Sequence, residues 1–141
     1  METIIVHIET DVNPTEDEEK VKKAILTILD NPVFTSEPAF QGFKLKAKTQ
    51  GQGSLTKFRN LLRNDRIRDA ARKLLYRATN SDNKIIFYLN KQVAYAGHAS
   101  FSEEYAESPL GPLHVVIETD APKPLIDWLT EKTERTKEKV R

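Results

Sequence analysis

Apolar positions recur with two different periods along this chain, and the switches between them mark its elements. Residues 3–10 (Thr-Ile-Ile-Val-His-Ile-Glu-Thr) are rich in β-branched side chains and predict a strand. Asn13-Pro14 breaks it, and Thr15-Glu16-Asp17-Glu18 reads as a capping box opening a helix with acids in its first turn. Val21, Ala24, Ile25, Ile28 and Leu29 then follow helical spacing until Asn31-Pro32. Residues 33–42, with Phe34, Pro38 and Phe40, read as a loop. Phe43-Lys44-Leu45-Lys46-Ala47-Lys48 returns to period two, a strand with one buried face and a row of ammonium groups on the other. Gly51-Gln52-Gly53 is a turn, and Ser54 is placed to cap a helix that turns Leu55, Phe58, Leu61 and Leu62 inward. After a break near Asn64-Asp65, a second helix presents Ile67, Ala70, Ala71, Leu74, Leu75 and Ala78 to the core.

In the remaining chain, residues 84–89 (Lys-Ile-Ile-Phe-Tyr-Leu) predict a strand apolar enough to be central in a sheet. Residues 91–96 read as a connector, 99–101 as a short strand, and Ser108-Pro109-Leu110-Gly111-Pro112 as a rigid turn into a strand over 113–118. Pro122 and Pro124 open a last helix with Leu125, Ile126, Trp128 and Leu129 inward. From about residue 130 to 141 the pattern fades into a solvated, fraying end. Together these elements predict one α+β domain over 1–141, an antiparallel sheet with helices packed mainly on one face.

Composition narrows the function classes. The 141 residues contain no Cys, which excludes disulfides, thiolate zinc sites and cysteine nucleophiles. The N-terminus reads as a strand rather than a signal peptide, and no apolar run reaches membrane-spanning length, so a cytoplasmic protein is expected.

Charge changes the picture more. The net charge is only +1, yet residues 41–78 hold 11 Lys and Arg against 2 acids, while residues 1–40 hold 3 against 9. A basic block inside a neutral chain makes a local field that attracts phosphates. Its members are Lys44, Lys46 and Lys48 on the strand, Lys57, Arg59 and Arg63 on the first following helix, and Arg66, Arg68, Arg72, Lys73 and Arg77 on and before the second. If strand and helices share one side, these cations track a phosphate backbone, and the arginines suit forked contacts. With only Tyr76 and Phe58 as aromatics in the block, backbone and shape reading of structured RNA fits better than base stacking. The competing account is a solvated helix face with Asp69 pairing its neighbours, or a patch that meets an acidic protein.

Other candidates are weaker. Gly51-Gln52-Gly53-Ser54 lacks the spacing of a phosphate-binding loop and reads as a turn. His7, Glu9 and Asp11 share a strand face, as do His114 and Glu118, which leaves a metal-dependent enzyme as an outside reading. Ile8–Pro14 and Ile117–Pro122 echo each other as two strand-to-helix turns. No cofactor motif and no nucleophile elbow is present.

One further pattern spans most of the chain. Pro14-Thr15-Glu16-Asp17 with Lys20-Val21, Leu61-Leu62-Arg63 with Ile67-Arg68-Asp69-Ala70-Ala71-Arg72, Leu89-Asn90-Lys91-Gln92-Val93-Ala94 with Gly97, and Ser108-Pro109-Leu110-Gly111-Pro112 with Val116-Ile117 occur in order. This series resembles an archaeal family of uncharacterised proteins, UPF0201. The resemblance implies an α+β fold similar to the large-subunit ribosomal protein that docks 5S rRNA, which is what ties the family to RNA binding. It also implies homodimers, and it brings no catalytic residues.

Overall fold

β1 (Ile4–Val12) buries Ile4, Val6, Ile8, Thr10 and Val12 and turns Ile5, His7, Glu9 and Asp11 to its other face. That alternation repeats on every long strand beside it and divides the molecule into a helix-covered side and an open side. The computed structural model describes residues 3–102 and 111–131. After β1 come α1 (Glu18–Ile28), β2 (Val33–Pro38), β3 (Phe43–Gln50), a 3-10 turn (Gln52–Leu55), α2 (Thr56–Asn64) and α3 (Arg68–Ala78). Then follow β4 (Lys84–Asn90), α4 (Lys91–Tyr95), β5 (Phe101–Ser102), β6 (Pro112–Thr119) and α5 (Pro122–Leu129). The strands form one antiparallel sheet in the order β2-β3-β1-β6-β4-β5.

The core lies between this sheet and the helices. Leu45 and Ala47 from β3, Ile85, Phe87 and Leu89 from β4, and Leu113, Val115 and Ile117 from β6 meet Ile25, Ile28, Phe58, Leu62, Leu75 and Ile126. The architecture is therefore the expected α+β one, with helices on one face.

Several local expectations are corrected. The first helix begins at Glu18 rather than with a capping box: Asp17 is the N-cap and accepts from the Glu19 amide. Ser54 does not cap α2. It is buried in the 3-10 turn, where its hydroxyl donates to the Gly51 carbonyl. Residues 33–38, expected as loop, are the edge strand β2. Its outward residues carry no alternating apolar signal because it is solvated on most sides, and Pro38 suits such an edge. Residues 91–95, expected as a connector, form α4, capped by the Asn90 side chain accepting from the Val93 amide. Ala70 is exposed rather than inward. Thr130 is buried and donates to the Ile126 carbonyl, so the solvated tail does not begin there. The expected turn at 108–110 and the tail from 132 onward lie outside the described residues.

The β2–β3 hairpin closes on Gly42, whose φ is +69°. A Cβ there would lie 2.0 Å from the Val12 carbonyl oxygen, so only glycine fits.

Candidate nucleic-acid interface

The sheet separates the basic residues that the sequence groups together. Lys44, Lys46 and Lys48 project from β3 to the open face, opposite the side that α2 and α3 cover. The condition that strand and helices share one side therefore fails. On the open face Lys44 pairs with Glu9 at 3.8 Å and Lys46 with Glu37 at 3.2 Å. Both are diagonal cross-strand pairs: Glu9 stands opposite Lys46 on β1 and Glu37 opposite Lys44 on β2, and each lysine reaches the acid two positions along. Lys48 is exposed beside a groove of about 560 Å³ lined by His7, Glu9, Val33, Thr35 and Lys46.

The metal candidates share that face. His7 Nε2 lies 3.2 Å from Glu118, and the His114 ring stacks on Tyr88 at 4.8 Å. Among the described residues no three His, Asp or Glu side chains are grouped to hold a metal ion.

The helical cations also divide. Three arginines are engaged by the C-terminal end of α5. Arg59 Nε donates to the Trp128 carbonyl at 2.9 Å, its guanidinium meets Glu131 at 2.7 Å, and it lies over the Trp128 ring. Arg68 donates to the Glu131 carbonyl at 2.9 Å, and Arg72 pairs with Asp127 at 2.7 Å. A helix end exposes unsatisfied carbonyls and partial negative charge, and these guanidiniums answer both. Lys57 is held by the Leu26 carbonyl at 2.8 Å and by Asp30. Arg63 donates to Asn60. Lys57, Arg59, Arg63, Arg68 and Arg72 are thus engaged within the protein. Except for Asn60, these partners lie on or just after α1 and α5, far away in sequence.

Arg66, Lys73 and Arg77 differ. All three are exposed and have no ion-pair partner among the described residues. Lys73 and Arg77, four residues apart, share one side of α3 about 6 Å apart along its axis, and Arg66 precedes that helix by two residues. Arg66 has a special position. Its φ is +59°, and the Arg66 and Ile67 amides donate to the Arg63 and Leu62 carbonyls. That pattern closes α2 with a Schellman motif, and its left-handed residue is usually glycine. Here it is an arginine, which holds strain of about 1 kcal/mol. No glycine marks this cap, so the motif was not visible in the sequence.

Next to Arg66, Asp65 receives the Ala99 amide at 2.9 Å and His98 Nδ1 at 3.0 Å. Burial pushes its carboxyl up, and the Ala99 and His98 hydrogen bonds outweigh that, leaving it below its ordinary value. The α2–α3 turn is thereby fastened to the segment after α4.

The Arg72–Asp127–Tyr76 clasp carries a pH signature. Tyr76 donates to Asp127 Oδ1 at 2.7 Å. That hydrogen bond, with Arg72 and against burial, holds the Asp127 carboxyl below its usual range. Burial, then the Asp127 bond, pushes the Tyr76 phenol up. Asp127 therefore contributes stability above its ordinary value of about 4, lost as the pH falls through the lower folded value. Tyr76 contributes stability below about pH 10, lost as the pH rises through its raised folded value. Asp127→Asn is expected to flatten the acid limb of a stability profile measured by denaturant unfolding and to reduce the alkaline limb only in part, because the burial of Tyr76 remains. Unchanged limbs would show that the clasp does not titrate with folding.

Comparison with known proteins agrees with this architecture. A family model described as RNA binding matches residues 5–119. The UPF0201 protein of Sulfurisphaera tokodaii is 46% identical over 126 residues, covering 89% of this chain and 86% of that protein. The UPF0201 protein of Sulfolobus acidocaldarius is 42% identical over 128 residues, covering 91% and 88%. The crystal structure of the UPF0201 protein from Methanococcus jannaschii superposes with a TM-score of 0.77 at 35% identity, covering 91% of this chain and 93% of that one. On this identity and span, the chain belongs to the UPF0201 family.

Proposed function

We propose that this protein is a non-enzymatic RNA-binding protein, acting as a single α+β domain, that holds the phosphate backbone of structured RNA on the exposed stripe Arg66, Lys73 and Arg77. Arg66 carries the reading. A residue kept in a left-handed conformation where glycine would relieve strain is retained for its side chain, and strain of this kind collects at functional sites. The stripe is rigid, because Arg59, Arg68 and Arg72 brace α2 and α3 against α5. The RNA-binding description of the matching family model supports the same partner class. The likeness to a 5S-rRNA-docking ribosomal protein, implied by the sequence resemblance, points the same way. The open-face lysines form a separate surface, two of the three paired with Glu9 and Glu37. A homodimer, also implied by that resemblance, would set two stripes on one particle and widen the phosphate footprint. The edges of the described sheet do not favour pairing for this purpose: β2 ends in Pro38, and β5 has two residues.

Titration of a labelled RNA hairpin at two salt concentrations tests the proposal. Tight binding at low salt with a steep salt dependence is expected. Reversing Arg66, Lys73 and Arg77 to Glu should abolish binding, and neutralising each should reduce the salt slope by about one. Lys44, Lys46 and Lys48 changed to Gln should leave binding largely intact. Loss with the strand variant but not the helix variant would move the RNA to the open face and overturn the assignment. Arg66→Gly separates binding from folding. Relief of about 1 kcal/mol of strain offsets a glycine entropy cost of about 0.5–1 kcal/mol, so stability should hold while RNA affinity falls.

A further inference from the structure

Tyr95 is among the few large apolar side chains left exposed, at 38%. It closes α4 and lines a cleft of about 270 Å³ between α4 and the start of α1, with Thr15, Asp17, Lys20 and Gln92 around it. The cleft has a rigid floor. Lys91 lies beneath it, 3% exposed, with its ammonium on the Glu16 carboxylate at 3.1 and 3.2 Å and on the Asp11 carbonyl at 2.7 Å. Over the Tyr95 ring stand two further ammonium groups, Lys20 at 5.8 Å and Lys23 at 5.0 Å. Gln92 is exposed at the rim and offers an amide donor and acceptor. One side-chain contact links the segment after α4 to the turn that carries Arg66. The α4 helix runs into His98, which bonds Asp65, the neighbour of Arg66.

We propose that this cleft takes one unstacked nucleotide of a bound RNA, its base against the Tyr95 ring and its phosphate at Lys20 and Lys23. The proposal rests on the RNA reading above and adds to it a place where a base leaves the helix. Aromatic faces accept splayed-out bases, and their stacking is tolerant of sequence because every base has a π-face. The Lys20 and Lys23 ammonium groups over the ring give way to the entering base and supply the charge its attached phosphate needs. Gln92 is then the group that meets the base edge. In this arrangement a paired stem lies at Arg77, Lys73 and Arg66, and an unpaired residue next to it reaches past the Asp65–His98 contact into the cleft.

Two measurements test this, one of which does not need RNA binding. Adenosine monophosphate titrated into the isotope-labelled protein should shift amide signals confined to residues 15–23 and 91–98. Absence of shifts there, or the same shifts with inorganic phosphate alone, would overturn the base-binding site. Second, a hairpin with one bulged adenosine should bind about tenfold more tightly than its fully paired counterpart. Tyr95→Ala should remove that preference and leave binding of the paired hairpin unchanged, while Tyr95→Phe should restore it. Equal affinity for both hairpins in the wild type, or a Tyr95→Ala protein that keeps the preference, sinks the inference while leaving the phosphate stripe standing. Failure of both hairpins to bind sinks the stripe reading instead, and the mononucleotide titration then decides the cleft by itself.

Discussion

Lys91→Ala is expected to lower the unfolding free energy by about 3–5 kcal/mol. In thermal melts this corresponds to a midpoint lower by on the order of 10 °C. The Lys91 side chain is 4% exposed and that of Glu16 9%, so the pair is withdrawn from water. Removing the ammonium leaves a buried carboxylate with an uncompensated charge. It also frees the Asp11 carbonyl, which Lys91 satisfies at 2.7 Å. Glu16 is further committed to the Asn13 backbone and side-chain amides, so the pair ties the β1–α1 turn to the start of α4. A surface pair provides the contrast. Lys22 and Glu18 approach to 3.3 Å one turn apart on α1, with 29% and 43% of their side chains exposed. Breaking that pair should cost no more than about 0.5 kcal/mol. The double replacement Lys91→Met with Glu16→Leu removes both charges and should recover much of the loss, since what is costly is the orphaned partner. Recovery will be incomplete because the Asn13 amides lose their acceptor. Denaturant unfolding of the four proteins checks this, and a Lys91→Ala loss under about 1 kcal/mol would show that water reaches the site and solvates the carboxylate.

What the sequence made legible, and what it did not, divides along a physical line. Elements that bury a periodic face were readable. Val21, Ala24, Ile25, Ile28 and Leu29 are all buried as spaced, and so are Val115, Ile117, Ile85, Phe87 and Leu89. β2 and α4 were not readable, because an exposed edge strand and a five-residue helix impose no apolar period. Within α3, Ala70 fits the spacing but is exposed, since alanine is tolerated on either side of a helix.

Charge was readable as composition but not as partnership. Arg59, Arg68 and Arg72 look like phosphate ligands until α5 is seen to end beside them, with Arg59 and the Trp128 carbonyl 69 positions apart. Lys91 and Glu16 are 75 positions apart, and nothing local to either signals burial. The Lys44, Lys46 and Lys48 row was correctly read as one face, yet which side the helices would take is a tertiary fact that alternation alone leaves open. Arg66 was visible as a cation but not as a strained helix cap, because the residue that normally announces such a cap is absent.

The second large effect is expected at Phe58. Phe58→Ala should destabilise the protein by about 3–5 kcal/mol, comparable to the loss of Lys91 but through a different mechanism. Phe58 is fully buried on α2. Its ring stacks on Phe87 of β4 with centroids 5.7 Å apart and planes 10° from parallel, and it meets Phe101 of β5 edge-on at 6.4 Å. Phe87 and Phe101 are themselves edge-to-face at 5.7 Å, so the three rings close on one another. Each such pair adds roughly 0.5–1.5 kcal/mol beyond the area it buries. Truncation also opens a cavity that strand and helix backbones on two sides prevent from collapsing. Phe58→Leu keeps most of the volume and should cost less than half as much. The consequence reaches the cationic stripe, because α2 ends in the cap that holds Arg66. At a temperature where both variants are still folded, Phe58→Leu should keep RNA affinity while Phe58→Ala loses part of it through a loosened α2–α3 turn. If Phe58→Ala instead costs under about 1.5 kcal/mol, the ring trio does not anchor α2 to the sheet, and the rigidity assigned to the stripe must come from the α5 contacts of Arg59, Arg68 and Arg72 alone.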